Sequence, residues 1–348
     1  MLMKKQIPGF VGFCAIAVLL MVYSDACRAG IRDGIKQCQT VLIPALFPFC
    51  VLFSLWLGSG KTEPVSKILG QFLSRFCNLP PSSAIPLAAG MIGGYPLGAR
   101  VLAEMVKKRE IEPEQAASLS MFCNNPGPAF MIGAVGASIL NSALLGAVLW
   151  IVCILTSLLT GILTAQSAPR VQEKRLIPRQ EKILTIFPEA VWQGVKTMLQ
   201  ISGTVVLFSG LQAVLWKSTE AFTIPVIIKT IAAGVLELTN GVSNARECAG
   251  PIRFILCGSM AAWGGLCVHM QAAEALIQAG LQVRQYLLGK LIQTVLTLLG
   301  LCFLCPAIYP NVTVLRNISC IGMIAFLLVV GLLSFSKKKN WKKARTVI

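Results

Sequence analysis

Long apolar runs constrain this chain more than any other feature. They extend over Phe10 to Tyr23, Val41 to Leu57, Ser138 to Ala165 and Ile318 to Phe335. At 1.5 Å of rise per residue, a helical run of about 18–20 residues crosses the roughly 30 Å hydrocarbon core of a bilayer. Hydrophobic residues make up 55% of the 348 and charged residues only 13%, about half the charged share of a soluble domain. The composition therefore predicts an all-α, polytopic membrane protein.

Lys and Arg outnumber Asp and Glu by 31 to 14, for a formal net charge of +17. The basic residues gather between the apolar runs, at Lys107 to Arg109, Arg170 to Lys182 and Lys337 to Arg345. That is the pattern of cytoplasmic loops beside anionic lipid. It lacks the basic, aromatic-interleaved face of a soluble nucleic-acid module. The linker 170–182 and the tail 337–345 are expected on the same, cytoplasmic side. Lys4 and Lys5 before Phe10 to Val22 imitate a signal peptide, and Ser24-Asp25-Ala26-Cys27 lacks the aliphatic residue of a lipoprotein cleavage site, so residues 1–30 read as a retained first span.

Catalytic chemistry finds little support. Most of the 13 cysteines lie in apolar runs, where a thiol is a small hydrophobe. Cys302 and Cys305 form a CxxC, but the single histidine, His269, completes no usual zinc spacing with them. His269 ends an apolar stretch followed by Gln271 and Glu274, which predicts an interfacial place. With Asp25 and Asp33 as the two aspartates, no Ser-His-Asp triad is arranged, and no phosphate-binding GxxxxGK[ST] loop is present. The expectation is a non-enzyme with no catalytic residues, no metal site and no cofactor.

The chain also repeats itself weakly. A shift of 160 residues sets Gly34-Ile35-Lys36 on Gly194-Val195-Lys196 and Leu55-Trp56 on Leu215-Trp216. A shift of 146 sets Gly98-Ala99-Arg100 on Asn244-Ala245-Arg246, and one of 134 sets Cys123 on Cys257. The shared order predicts two structural repeats. Residues 1–30 precede them, 31–165 form the first, 166–186 a basic cytoplasmic linker, 187–306 the second, and 307–348 a last membrane helix and basic tail.

Within the first repeat, Ala89 to Arg100 and Cys123 to Pro128 carry several Gly and Pro residues; Ile224 to Ala245 and Phe254 to His269 take the corresponding places in the second. Such residues break helices, and broken backbone at membrane depth is tolerated only around a cavity or inside protein. Interrupted, hairpin-like helices paired between two halves point to a transporter's binding site.

The runs Gly94 to Arg100 and Phe122 to Gly136, with Ile43 to Phe49 upstream, resemble the Gate, or nucleoside-recognition, domain. The layout of two such domains resembles the sporulation integral membrane protein family of YlbJ type. That resemblance implies a fold similar to concentrative nucleoside transporters, inverted topology, and movement of dipicolinic acid toward the forespore, with the outer forespore membrane as a location. Glu237 to Asn244 is similar to a substrate-contacting helix of nucleoside transporters, and Cys257 to Gly265 to their glycine-rich gate. The first half lacks their Gln-Thr-Glu cluster at Gly94 to Gly98, which argues against a nucleoside and against sodium coupling.

The expected substrate ligands are Gly94, Tyr95, Pro96, Gly98, Arg100, Asn124, Asn125, Glu237, Asn240, Asn244 and Arg246. Glu237 is an acid within an apolar segment, where ionisable groups are costly and usually functional; a buried structural pair is its other reading, and helix capping is the other reading of the asparagines. Arg100 and Arg246, equivalent under the 146 shift, offer planar forks suited to carboxylates; snorkelling to an interface competes with that role. The expected partners are a small anionic solute and the lipid bilayer, with no nucleic acid; a homo-oligomer or assembly with other sporulation membrane proteins stays open. Nucleoside transport and a non-transporting sporulation scaffold are the rival functions.

Overall fold

The computed structural model describes residues 2–165, 182–310 and 330–331. The expectation that the basic linker and the basic tail share one face falls largely outside these described residues. Among them, every regular element is a helix.

The first half begins with α1 (Leu2–Val22) and α2 (Ser24–Gln37), which runs through a π turn at Cys38–Leu42 into α3 (Ile43–Gly58). A short α4 (Glu63–Phe72) follows. Next come α5 (Ala84–Ala88), prolonged by a π turn at Ala89–Gly93, and α6 (Leu97–Lys107). Then α7 (Pro113–Ser120), a π-helical stretch over Ala129–Ile139, and α8 (Ala143–Thr164) close the half. The second half has α9 (Ile183–Ser218), α10 (Val226–Leu236), α11 (Leu238–Asn244), α12 (Gly250–Trp263), α13 (Gly265–Gln278) and α14 (Val283–Ile308). Each half therefore reads long helix, doubled-back pair, interrupted pair, closing helix; α4 is extra in the first.

The charged start of α2 hides its helical nature in the sequence. Its small residues face α9: Gly30 lies against Ser209 and Ala213, and Gly34 against Ser209 and Val206. Meanwhile Asp25 and Arg28 pair on the exposed side. The long helix thus begins at Ser24, well before the apolar run at Val41.

Among the described residues, five segments are long and apolar enough to span a bilayer: Ser24–Gly58, Ala143–Thr164, Ile183–Ser218, Gly250–Gln278 and Val283–Ile308. Leu144, Ile151 and Leu155 on α8, and Leu288, Leu291 and Leu298 on α14, point outward, as lipid-facing residues must. The protein is a multi-pass membrane protein.

Matching elements of the two halves pack antiparallel. Along α2–α3 and α9, Gly34 meets Ser209, Cys38 reaches the Ser202 carbonyl, Gly194 meets Val51, and Gly58 meets Ile186. Numbers rise on one helix as they fall on the other. On α8 and α14, Leu149 and Leu301 flank the same Gly258, Thr156 and Thr297 share a hydrogen bond of 2.7 Å, and Gly161 and Gly289 both face the end of α7.

Candidate functional site

Both doubled-back pairs are closed by glycines. Gly98 lies against the backbone of Gly90, folding α6 onto the turn before it, and Gly241 lies against Gly234, folding α11 onto α10. A Cβ at Gly98 would meet Gly90, and one at Gly241 would meet Gly234, so a side chain at either would separate the arms. Each hairpin tip rests on an interruption of its own half. Gly94, at φ +82°, abuts Gly127 between the prolines of Asn125 to Pro128, and Glu237 abuts Gly265, at φ +80°, between α12 and α13.

The two tips meet around one small cavity of about 30 Å³, room for little more than a water or two. Gly94, Tyr95 and Gly127 line it from the first half, and Glu237, Thr239, Cys267 and Gln271 from the second. Leu42 and Leu46 on one long helix and Ile201 and Val205 on the other complete the wall. Glu237 is 2% exposed and forms no ion pair among the described residues. Its Oε1 accepts from the Thr239 N–H at 2.9 Å and its Oε2 from the Asn240 N–H at 2.7 Å, so the acid both caps α11 and faces the cavity. The Tyr95 hydroxyl has no hydrogen-bond partner among the described residues.

Larger cavities lie beyond on each side along α9. One of about 710 Å³ is lined by Cys50 and Leu57 on α3, Arg100 and Glu104 on α6, Thr197 on α9 and Glu274 on α13. One on the opposite side, about 400 Å³, is lined by Asp33, Lys36 and Gln37 on α2, Ser209 and Gln212 on α9, and Asn240 and Asn244. Thr197, Ile201, Val205, Ser209 and Gln212 follow one face of α9 at steps of three and four, so a single helix face passes these three cavities.

The sequence-selected residues divide among these places. Gly94, Tyr95 and Glu237 border the centre, with Pro96 at the tip between Tyr95 and α6. Gly98 gives room for the Cys123 carbonyl. Arg100 donates to Thr197 Oγ1 at 2.6 Å in the larger outer cavity. Asn240 and Asn244 line the other outer cavity. Arg246 donates to the Ser138 carbonyl at 2.9 Å on an exposed face. The two arginines have different holders: Thr197 on α9 takes Arg100, and the Ser138 carbonyl in the π-helical stretch takes Arg246.

The family model described as Gate, nucleoside recognition, matches residues 40–143, from the π turn before α3 to the first residue of α8. The sporulation integral membrane protein YlbJ of Bacillus subtilis (strain 168) is 25% identical over 321 residues, 81% of this chain and 78% of that protein. The chain is thus similar to a sporulation membrane protein over most of its length and carries a Gate-type region in its first half. No solved structure matches it.

The Gate region is tied to α8 and α14 by a buried polar network. Asn125 donates to the Phe122 carbonyl at 2.9 Å and to Ser157 Oγ at 3.0 Å. Gln293 Nε2 donates to Asn125 Oδ1 at 2.8 Å and to the Cys153 carbonyl at 3.0 Å. Lys290, 1% exposed, donates to Gln293 Oε1 at 2.7 Å and to the Asn124 carbonyl at 3.0 Å. Asn124 and Asn125 are both fully buried, and their side chains bind the broken backbone to its neighbours. His269 is not interfacial: it is 4% exposed, with Nδ1 3.0 Å from the Tyr286 hydroxyl and its ring on Trp263. Gln271 and Glu274 give this stretch the look of a helix end, but Gln271 is buried and only Glu274 of the two turns outward.

Reading the sequence missed Lys290, Gln293 and Gln271. A signal for the first two was there: Tyr286, Lys290, Gln293 and Thr297 recur at i, i+4, i+7 and i+11 in an apolar run, which sets one polar stripe on a membrane helix.

Proposed function

We propose that the protein is a permease for a small molecule, built as an inverted repeat, with its site between the two hairpin tips. The observation that carries this reading is the succession of cavities along α9: a polar outer cavity, a small central one, and a second polar outer cavity. Alternating access needs interrupted helices from both halves around a central site, with routes to either side. The antiparallel pairing of α2–α3 with α9 and of α8 with α14 supports a pseudo-twofold axis in the membrane plane, with repeats over 31–165 and 187–306 flanking the linker 166–186.

In this reading Gly94, Tyr95 and Glu237 touch the cargo at the centre. Arg100 receives it on one side, and Asn240 and Asn244 on the other. The cargo we favour is dipicolinic acid moving toward the forespore, in keeping with kinship to a sporulation membrane protein. Arg100 supplies a fork for a carboxylate at the wider mouth. The description of the matched domain, nucleoside recognition, supports a nucleoside as the second candidate.

Uptake by the purified protein in liposomes, with labelled dipicolinate and a labelled nucleoside side by side, tests the reading. Accumulation of dipicolinate above empty liposomes is expected, together with low dipicolinate in spores lacking the gene. Nucleoside uptake alone would change the cargo. No uptake of either, with normal spore dipicolinate, would overturn the permease reading.

A further inference from the structure

The interruption after α7 leaves specific hydrogen bonds unmade. In a continuous helix the carbonyl of residue i accepts from the N–H of i+4. Pro126 would follow Phe122 in this way and Pro128 would follow Asn124, and neither proline has an N–H to give. Both orphaned carbonyls are buried, so each needs another donor. Phe122 O receives two uncharged donors, the Asn125 amide at 2.9 Å and Ser157 Oγ at 2.6 Å. Asn124 O receives a cation, the Lys290 ammonium at 3.0 Å.

Lys290 has no carboxylate partner among the described residues. Its second acceptor is the amide oxygen of Gln293. That amide is held in register because its Nε2 donates to Asn125 Oδ1 and to the Cys153 carbonyl, which aims Oε1 at Lys290. A lone ammonium inside a membrane protein is costly, and cross-helix space could be filled by an apolar chain. Instead, two neutral oxygens, one from backbone and one from an oriented amide, converge on a single positive charge. Neutral oxygens of this kind take ammonium groups and monovalent metal ions by the same dipole attraction.

We propose that the interruption at 123–128 is a monovalent-cation site that the chain fills with its own Lys290. The ammonium supplies the donor that Pro128 cannot give to the Asn124 carbonyl and fixes the broken segment against α14. Removing the side chain beyond Cβ leaves an empty site that accepts a free primary ammonium. This inference rests on the hydrogen-bond geometry alone and stands or falls independently of the permease reading.

The test uses the full-length protein in detergent and measures Tm. Lys290→Ala is expected to lower Tm by about 5 °C or more. Propylammonium should then restore much of the loss in Lys290→Ala, while leaving the wild type unchanged. Propanol, of similar size and uncharged, should restore nothing. Equal effects of the amine and the alcohol, or no effect of either, would mean that Lys290 only fills space. If Lys290→Ala does not accumulate in membranes, Lys290→Arg and Lys290→Met decide the matter. The arginine variant should accumulate and the near-isosteric methionine variant should not; a methionine variant that melts like the wild type overturns the proposal.

Discussion

Gln37 and Thr197 stand 160 residues apart, the spacing that aligns the two long helices, and each holds the hairpin of the opposite half. Gln37 on α2 donates to Asn240 Oδ1 at 2.8 Å, and Thr197 on α9 accepts from Arg100 at 2.6 Å. Asn240 also donates to Ser209 at 3.1 Å. Each hairpin is therefore latched beside its own outer cavity. Loosening one latch is expected to expose the centre from that side alone. With a reporter cysteine at Thr239 in an otherwise cysteine-free chain, Gln37→Leu should raise labelling by an impermeant maleimide several-fold from the Asn244 side. Thr197→Val should do so from the Arg100 side. Both variants labelling from one side would remove the idea of two latches.

The glycines of the first hairpin make an independent prediction. A Cβ at Gly90 or Gly98 would collide with the Cys123 carbonyl oxygen, whereas Gly300 has open space around its missing Cβ. Overpacking of this kind costs about 1–3 kcal/mol and more where backbone blocks relief. Gly90→Ala and Gly98→Ala should therefore lower Tm by several degrees. Gly300→Ala, inside α14, should be neutral or stabilising by up to about 1 kcal/mol. Equal melting of all three variants would contradict the packing of the hairpin on the interruption.

Much of this architecture was legible in the chain because membrane helices announce themselves by length and breaks by Gly and Pro. The interruptions at Gly94, Asn125 to Pro128, Glu237 and Gly264 fall inside the segments that composition marks as broken. What composition does not carry is which polar groups meet. Asn124 and Asn125 look like ligands beside broken backbone, and their partners come from Ser157, Tyr286 and Gln293, between 32 and 168 residues away. The 146-residue alignment makes Arg100 and Arg246 equivalent. The hairpin glycines pair Gly90 with Gly234 and Gly98 with Gly241, offsets of 144 and 143 (234 − 90 and 241 − 98). That difference moves Arg246 past the place that Arg100 occupies, out to Ser138.

Cross-linking separates these relationships directly. Thr156 and Thr297 lie on the crossing of α8 and α14 with their hydroxyl oxygens 2.7 Å apart. In a cysteine-free chain, the pair Thr156→Cys and Thr297→Cys should join under mild oxidation. Arg100→Cys with Arg246→Cys should not join even with a short bifunctional reagent. A cross-link in the arginine pair, or none in the threonine pair, would contradict the antiparallel arrangement of the halves.

Glu237 carries the sharpest prediction about transport. Its carboxylate caps the N-terminus of α11 through Thr239 and Asn240, and it also borders the central cavity. The two roles respond differently to substitution. Glu237→Gln keeps a carbonyl oxygen to accept a capping bond, so the fold should lose no more than about 1 kcal/mol. A hydrogen bond from a cargo donor to the carboxylate is worth about 1.5–3 kcal/mol, so the same variant should lower uptake of a donor-bearing cargo such as a nucleoside ten- to a hundredfold. Dipicolinate, an anion, should be taken up at least as fast once the like charge is gone. Glu237→Ala removes both functions and should lose stability as well as nucleoside uptake. Melting curves and uptake rates measured on the same preparations distinguish the cases. Wild-type uptake of both solutes in Glu237→Gln, with reduced stability only in Glu237→Ala, would leave Glu237 as a helix cap and move the binding site elsewhere along α9.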